Sequence, residues 1–423
     1  MKPTSALSLL RRLAATSARR PLDRRAFLQL AGSASAATLL SACERTGTPA
    51  PQSGGGTSVA PEPMTMAKFP EKTEMILLTD RPPQLETPLH YFQKDLTPND
   101  AFFVRWHLGI VPTTIDPATF RLSLGGHVEQ ALSLSVDELK KNFEPVSYVA
   151  VAQCSGNSRS LYEPRVLGGQ WGNGAVGNAK WTGVRLKDLL AKAKVKSGAV
   201  ELSFKGLDRG PMPTVPDFVK SLSFDHANDG EVMVAYAMND EALPMLNGYP
   251  LRLIVPGWYA TYWVKSLAEI NVLPTKFKGF WMDKAYRVPN NPNAQESPTD
   301  LAKDTVPITT MTVRSLIVLP EPNAKVKAGQ PYELQGVAMD SGKGITKVEV
   351  STDGGKTWGE AKLDKDLGKY SWRRWRMAWT PAAGQHRVMA RATNAAGETQ
   401  TQQQWNRSGY ARNVVEFVDV TAA

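Results

Sequence analysis

Cys154 is the residue of this sequence whose type and position best suit reaction or metal binding. It follows a largely apolar, β-rich run at 146–151, precedes a Ser-Gly-Asn-Ser tetrapeptide, and has Arg159 five positions further on. This pattern predicts a strand that ends in a tight turn. A thiol at a strand end, beside small residues and an arginine, suits a site for an anionic group. The alternative is a buried, inert cysteine.

Arg105 and His107 form a second pair suited to anion binding. The segment 102–106 has the composition of a strand, and alternate residues of a strand share one face. Both side chains are therefore expected to point the same way. Fixed positive charge beside a thiolate would suit an oxyanion, although surface strands also carry such pairs without function.

The elements around these residues are predicted to be short. Six glycines between 168 and 184 imply a backbone that bends sharply or approaches a ligand closely. Strands are expected at 202–208, 232–238 and 250–255, with a short helix at 185–190. Short strands, short helices and long irregular joins favour an α+β fold over a doubly wound sheet.

The first 42 residues predict a targeting segment. They carry seven basic residues and one acidic residue, and the pair Arg24-Arg25 precedes Ala-Phe-Leu and an apolar run at 30–42. This pattern resembles a twin-arginine export signal, and the run is too short for a membrane-spanning helix. We therefore expect a periplasmic protein, exported folded and with its cofactor inserted.

The end of this segment, Leu-Ser-Ala-Cys at 40–43, resembles a bacterial lipobox. Cys43 is then a candidate for lipidation and a membrane tether; the alternative is cleavage near residue 42 without lipid. Residues 43–72 are expected to form a flexible tether. In both cases Cys154 is the one remaining thiol in an oxidising compartment, which is a hazard unless its sulfur is buried or bound.

The net charge of +10 does not indicate nucleic-acid binding. Residues 1–42 contribute +6 of it, so the remaining residues carry +4, and these charges are spread without a basic run. Nucleic acid is therefore not an expected partner.

Four motifs occur in a fixed order. They are Cys-Ser-Gly-Asn-x-Arg at 154–159, Gln-Trp-Gly…Ala-Lys-Trp-Thr-Gly at 170–183, Asn-Gly-Tyr-Pro-Leu-Arg at 247–252 and Pro-Gly-Trp…Trp-Val-Lys at 256–265. Together they resemble the sulfite oxidase family of molybdopterin enzymes, over a region from about residue 81 to the C-terminus. The resemblance implies a molybdopterin-binding catalytic domain at 73–302.

The resemblance also implies roles for individual residues. Cys154 would ligate molybdenum through its soft thiolate. The oxyanion pocket would contain Arg105, His107, Arg159, Trp171 and Tyr286. The pterin and its phosphate would be held by Phe102, Phe103, Val104, Arg105, Trp106, Asp208, Asn247, Arg252, Trp263, Val264 and Lys265. Asn247 stands where vertebrate members have histidine.

The last 120 residues have a different sequence pattern. Alternating strands are expected at 331–340, 347–351, 371–379, 386–392 and 414–418, separated by turns such as Asp-Gly-Gly at 353–355. The pattern predicts an immunoglobulin-like β-sandwich at 303–423 without its disulfide. The segment 348–358 resembles the dimerisation domain of the same family, so a homodimer is expected; a generic cell-surface module is the alternative.

The expected activity is oxidation of sulfite to sulfate at a molybdenum–molybdopterin centre. With two cysteines and no Cys-x-x-Cys-His motif, neither haem nor an iron–sulfur cluster is expected. The electrons would then leave one at a time to an external, periplasmic c-type cytochrome.

Three alternatives remain open at this point. Within the family, the protein could be the sulfane-sulfur dehydrogenase subunit of a sulfur-oxidising complex, although the run at 256–263 looks more like the sulfite-oxidising members. It could instead be a metal-free, lipid-tethered anion-binding module. A cysteine-nucleophile hydrolase would need a histidine poised beside Cys154.

Overall fold

Short strands make up most of the regular structure in residues 65–423, the part of the chain that the computed structural model describes. The predicted export signal, the lipidation candidate Cys43 and most of the predicted tether lie outside these residues. None of the helices found between residues 65 and 423 has both the length and the apolar character needed to cross a membrane.

The region up to residue 307 contains three main sheets and a short strand pair. Its strands are β1 (Met66–Lys68), β2 (Glu74–Thr79), β3 (Gln84–Glu86), β4 (Val104–Arg105), β5 (Leu122–Gly126), β6 (Leu132–Leu134), β7 (Pro145–Gln153), β8 (Val176–Arg185), β9 (Glu201–Gly206), β10 (Val219–Ser223), β11 (Met233–Met238), β12 (Glu241–Ala242), β13 (Arg252–Ile254), β14 (Leu267–Leu273), β15 (Arg287–Pro289) and β16 (Thr305–Pro307).

The helices of this region are short. The α-helices are α1 (Val136–Asn142), α2 (Leu186–Ala193), α3 (Phe224–Ala227) and α4 (Phe280–Asp283), and the 3-10 helices are Leu89–Gln93, Asn99–Ala101, Arg159–Leu161, Met245–Asn247, Ala260–Tyr262 and Pro292–Ala294. The α+β prediction therefore overstated the helical part, and the fold is mostly sheet. Several joins contain only a single 3-10 turn that begins after a proline, such as Pro98 and Pro244.

Two of the main sheets carry residues of the predicted site on their strands. The sheet β1-β2-β3-β4 carries Arg105 on its last strand, and the sheet β12-β11-β8-β7, with β13 beside β11, carries Arg252. The third sheet has the order β10-β9-β14-β5-β6, and its β14 runs parallel to β5. The long pair β7–β8 becomes fully buried towards Cys154, which confirms the predicted strand before this residue.

The largest core cluster lies between these sheets and includes Cys154, Trp171, Trp181 and Trp263. Aliphatic side chains of β9, β11, β13 and β14 fill it from both sides. The residues that precede and follow Cys154 are thus fixed by burial on neighbouring strands rather than by a disulfide.

The C-terminal region contains two facing sheets. The first has the order β17 (Arg314–Leu319), β19 (Tyr332–Met339), β23 (Arg373–Trp379) and β22 (Lys362–Leu363), and the second has β18 (Lys325–Val326), β25 (Glu416–Ala422), β24 (Gly384–Asn394), β20 (Ile345–Ser351) and β21 (Gly359–Glu360). A core that includes Leu334, Val348, Trp375 and Val388 lies between them. The five strands predicted in this region each overlap an observed strand, because their alternation matches a sheet with one buried face.

Candidate active site

A narrow inner cavity, with an empty volume of about 380 Å³, forms where the ends of β4, β7 and β13 meet. Its lining residues are Phe103, Arg105, His107, Cys154, Ser155, Asn247, Arg252, Ala260, Thr261, Lys265 and Tyr286. Eight of these were predicted site residues. The structure thus brings the thiol of the first motif together with basic residues from three other segments, Arg105, Arg252 and Lys265.

Cys154 reaches the inner cavity from a firmly held turn. Its backbone N–H donates to the carbonyl oxygen of Ala175 (2.9 Å), and its carbonyl oxygen accepts from the N–H of Asn157 (3.0 Å). The side-chain oxygen of Asn157 accepts from the N–H of Ala175 at 2.9 Å. Gly156 lets the guanidinium of Arg159 pack against the turn, since a Cβ at this position would lie 2.6 Å from it. The turn therefore fixes the direction of the sulfur before any ligand binds.

Arg105, His107 and Tyr286 form one polar cluster in the cavity wall. The hydroxyl of Tyr286 contacts Nε2 of His107 and lies 3.5 Å from Nη2 of Arg105. Tyr286 has a left-handed backbone (φ 57°), a conformation that costs free energy for a residue with a bulky side chain. The surrounding contacts hold this strained tyrosine with its hydroxyl in the inner cavity.

His107 is neutral in this environment. Its ring stacks on Phe218 with centroids 3.7 Å apart. Burial first, and then the charges of Arg105 and Lys265, hold the pKa of His107 well below its usual value. The neutral imidazole can exchange a hydrogen bond with Tyr286 but adds no charge to the pocket.

Two further residues that line the inner cavity, Arg252 and Lys265, are basic. Arg252 is almost fully buried and Lys265 is half-buried. Burial lowers the pKa of Arg252 to about 9, and burial together with the charge of Arg252 lowers that of Lys265 to about 7. Burial raises the pKa of nearby Asp208 to about 6, while the charge of Lys265 opposes that rise. The fold holds these cations despite their desolvation, as expected of a site for an anion.

Among the described residues, the cations around the inner cavity have no carboxylate partner. Within residues 65–423, no ion pair shorter than 4 Å involves Arg105, Arg159, Arg252 or Lys265. Buried charges in proteins are normally paired. Their missing counter-charge is therefore expected from a bound group.

Unpartnered polar atoms in the cavity wall support the same conclusion. The Ser155 hydroxyl, the Thr261 hydroxyl and Nε of Arg252 are buried without a hydrogen-bond partner, and all three residues line the inner cavity. An anionic, oxygen- and nitrogen-rich group such as a pterin phosphate would satisfy them. Together with the Cys154 thiol, this donor set fits a molybdenum–pterin group.

A wider outer cavity, with an empty volume of about 1020 Å³, shares Arg105 and Tyr286 with the inner one. Its other basic residues are Arg159, Lys284, Arg287 and Arg407, and its one acidic residue is Glu296. Glu296 is neutralised by Arg407 at 2.6 Å. The approach to the inner cavity is therefore strongly positive.

Arg159 is held by both the Gly-rich loop and the C-terminal region. Its Nη1 donates to the carbonyl oxygen of Gly169 (3.1 Å) and its Nη2 to that of Ser408 (3.1 Å). The guanidinium lies 4.8 Å from the ring centroid of Tyr410, which itself stacks on Tyr286 at 5.3 Å. Arg105 and Arg159 thus approach Tyr286 from different segments, and Arg159 faces only the outer cavity.

Several predicted residues do not line either cavity. The side chains of Phe102, Trp171, Trp263 and Val264 pack in the main core and those of Val104 and Trp106 in a smaller one, and Asp208 lies behind Lys265. The ring of Trp106 still lies 4.6 Å from the ammonium of Lys265. These residues therefore pack behind the cavity wall, and their side chains are not exposed to the cavity interior.

Sequence reasoning missed several residues at the site. Ser155 and Thr261 lie inside motifs already recognised, so the motifs could have indicated them. Tyr410 and Ser408 come from the C-terminal region, and Lys72 and Lys220 are single lysines in ordinary strand or turn sequence. No signal in the sequence marks these four, because their importance depends on contacts between distant segments.

Two family profiles match this chain. Residues 107–281 match the oxidoreductase molybdopterin binding domain, and residues 305–422 match the Mo-co oxidoreductase dimerisation domain. The two matched segments correspond to the region of the cavities and to the pair of C-terminal sheets.

Individual relatives agree with the profiles. Sulfite oxidase of Arabidopsis thaliana is 31% identical over 287 residues, which cover 65% of this chain and 72% of the relative. Mitochondrial sulfite oxidase of Homo sapiens is 34% identical over 317 residues, which cover 72% of this chain but 56% of the relative. The chain thus spans little more than half the length of the human protein.

Among solved structures, the sulfane dehydrogenase SoxCD of Paracoccus pantotrophus has a similar fold, with a TM-score of 0.69 and 24% identity over 88% of this chain and 96% of that one. This likeness concerns the fold alone. The profile matches, the sequence relatives and the thiol-and-cation cavity agree, and the chain belongs to the sulfite oxidase family of molybdopterin oxidoreductases.

Proposed function

We propose that this protein oxidises sulfite to sulfate at a molybdenum–molybdopterin centre bound in the inner cavity. The observation that carries the proposal is the group of cations without carboxylate partners around the Cys154 thiol. In the overall reaction sulfite and water give sulfate, two protons and two electrons. When bound, the molybdenum–pterin group supplies the oxygen transfer and accepts the two electrons.

The residues of the inner cavity divide into two groups by position. Cys154 would ligate the metal, and Arg252, Lys265 and Asn247 would hold the pterin and its phosphate. On the other side, Arg105 and Tyr286 would orient the sulfite oxygens with charge-assisted and neutral hydrogen bonds.

His107 and Arg159 act next to these groups. The neutral His107 would keep the Tyr286 hydroxyl aligned. Arg159, at the boundary with the outer cavity, would draw the dianion inwards and help sulfate to leave. The positive outer cavity raises the local concentration of anions at low ionic strength.

We further propose that the electrons pass one at a time to an external c-type cytochrome in the periplasm. Export by the twin-arginine route, with or without a lipid on Cys43, belongs to this proposal. So does dimerisation through an immunoglobulin-like C-terminal sandwich at 303–423. Electron-transfer encounters are usually weak and polar, which suits the cationic rim of the outer cavity.

The central test compares wild type with Cys154→Ser in molybdenum content and in sulfite-dependent reduction of cytochrome c. Wild type is expected to contain about one molybdenum per chain, and the variant is expected to lose sulfite oxidation. A variant that keeps full metal and full activity would refute the role of Cys154. Wild-type protein that binds sulfate without molybdenum would instead support a metal-free anion-binding module.

One competing substrate remains within the same chemistry. Oxidation of a carrier-bound sulfane sulfur would use the outer cavity to admit a larger substrate. Steady-state rates with free sulfite and with a persulfide-carrying peptide separate the two. We expect turnover with free sulfite; turnover with the peptide alone would favour the sulfane reaction.

A further inference from the structure

Lys220 is a buried lysine next to Tyr286, one of the residues that line the inner cavity. It lies on β10, and its side chain is fully inaccessible to solvent. Its ammonium donates one hydrogen bond, to the carbonyl oxygen of Trp281 at 2.7 Å. It also lies 4.4 Å from the ring centroid of Tyr262 and 5.2 Å from that of Tyr286.

The protein provides little that would stabilise this charge. A lysine ammonium has three donors, and only one is used by an oxygen acceptor; two aromatic rings provide the other neighbours. Among the ion pairs of residues 65–423, none involves Lys220. Burial accordingly lowers the pKa of Lys220 to about 7. A fold that only needed to fill this space would be more stable with an apolar side chain.

The position of Lys220 links it to the polar cluster in front of it. Tyr286 carries the hydroxyl that contacts His107 and Arg105, and its left-handed backbone requires support from its surroundings. Lys220 contributes this support from the side of Tyr262, while Tyr410 stacks on the ring of Tyr286. Lys220 also adds to the positive field at His107.

We propose that Lys220 is a positioning residue for oxyanion binding: through the Tyr286 and Tyr262 rings its ammonium holds the Tyr286 hydroxyl in place and adds positive charge behind the substrate. It does not touch the substrate. The inference rests on the proposed function, because it takes the inner cavity as the site of sulfite binding. Its consequence is that the site favours a dianion over a monoanion of the same shape.

The test uses Lys220→Met, which keeps the length of the side chain and removes the charge. The matched control is Lys205→Met, on the neighbouring strand β9, where the lysine is partly exposed and paired with Asp217 at 2.5 Å. Each variant is prepared with its cofactor. The measurements are molybdenum content, the KM and kcat for sulfite, and the dissociation constant of sulfate from its quenching of tryptophan fluorescence.

For Lys220→Met we expect unchanged molybdenum content, an approximately tenfold higher KM and sulfate dissociation constant, and a kcat within about twofold of wild type. The thermal midpoint is expected to stay equal or rise, because a costly buried charge has been removed. Lys205→Met is expected to match wild type throughout. Lys220→Gln provides a second neutral variant if the Met variant does not fold, with the same expected loss.

Unchanged sulfate affinity and KM in a folded neutral variant would overturn the inference while leaving the proposed function intact. A wild-type protein without molybdenum or sulfite oxidation would refute the proposed function, whatever the variant shows. A fall in the thermal midpoint with unchanged sulfate affinity would assign Lys220 a purely structural role and also overturn the inference.

Discussion

Replacing Gly174 by alanine should destabilise the Gly-rich loop measurably. Gly174 lies in the Gly-rich segment 168–184, and a Cβ built on it would lie 2.0 Å from the carbonyl oxygen of Thr87 and 2.7 Å from Cγ of Glu86. The first contact is with backbone, so it cannot be relieved by rotating a side chain. The loop would have to move away from β3 by about 1.3 Å to reach a normal carbon–oxygen separation of about 3.3 Å.

This movement removes two hydrogen bonds. The N–H of Gly174 donates to Oε1 of Glu86 at 2.8 Å, and the N–H of Thr87 donates to the carbonyl oxygen of Gly174 at 3.2 Å. Two buried donors left without partners cost about 3 kcal/mol together. With an unfolding entropy of about 2.1 cal/mol/K per residue over roughly 360 residues, this corresponds to a fall of about 4 °C in the thermal midpoint.

Differential scanning calorimetry at neutral pH measures the effect. The control is Gly125→Ala on β5, where a Cβ would meet no atom within 4 Å and the backbone angle suits alanine. The control is expected to shift the midpoint by less than about 1 °C. Equal midpoints for the two variants would refute the argument that Gly174 is required by close backbone approach.

Two further predictions concern buried cations. Burial lowers the pKa of Lys72 to about 7, whereas the pKa of a lysine in the unfolded chain is about 10.4. Between pH 7 and 9 the unfolded chain therefore binds more protons than the folded protein. The stability of cofactor-free protein should accordingly rise with pH over this range. The rise in stability with pH, measured as the thermal midpoint, should be smaller in Lys72→Met and unchanged in Lys205→Met. Identical pH profiles for the two variants would contradict the lowered pKa of Lys72. Arg314 is completely buried and bonds Glu416 and the Ser158 hydroxyl, both at 2.9 Å, so Arg314→Met should cost about 3 kcal/mol in denaturant unfolding. The half-exposed pair Arg387–Asp419 should lose at most about 0.5 kcal/mol in Arg387→Met, and similar losses in both variants would show that burial of Arg314 is not the cause.

The parts of the site that could be predicted share a local signature. Cys154 stands at the end of an apolar strand before small residues, and Arg105 and His107 alternate on one short segment. Such patterns depend only on neighbouring residues in the sequence, so they can be recognised without knowledge of the fold. The C-terminal strands were predictable for the same reason, since their alternation reflects one buried face.

Other features depend on contacts that no local pattern records. Lys72 bonds the carbonyl oxygens of Asn99 and Phe102 and the side-chain oxygen of Asn247, and nothing in the sequence near Lys72 indicates this. The α+β fold class overstated the helical share for a related reason. Short apolar stretches fit a helix or a single turn equally well, and proline with tertiary packing decides between them.

The contacts between the Cys154 turn and the C-terminal region have a practical consequence for protein engineering. The N–H of Ala411 donates to the carbonyl oxygen of Ser155 (3.2 Å), and the hydroxyl of Tyr162 donates to the backbone carbonyl oxygen of Tyr410 (2.8 Å). A fragment cut near residue 303, or a chimera that exchanges the C-terminal half for another scaffold, would lose both bonds and one wall of the outer cavity. The two halves therefore form a single transferable unit, and recombination between homologues should use crossover points outside it.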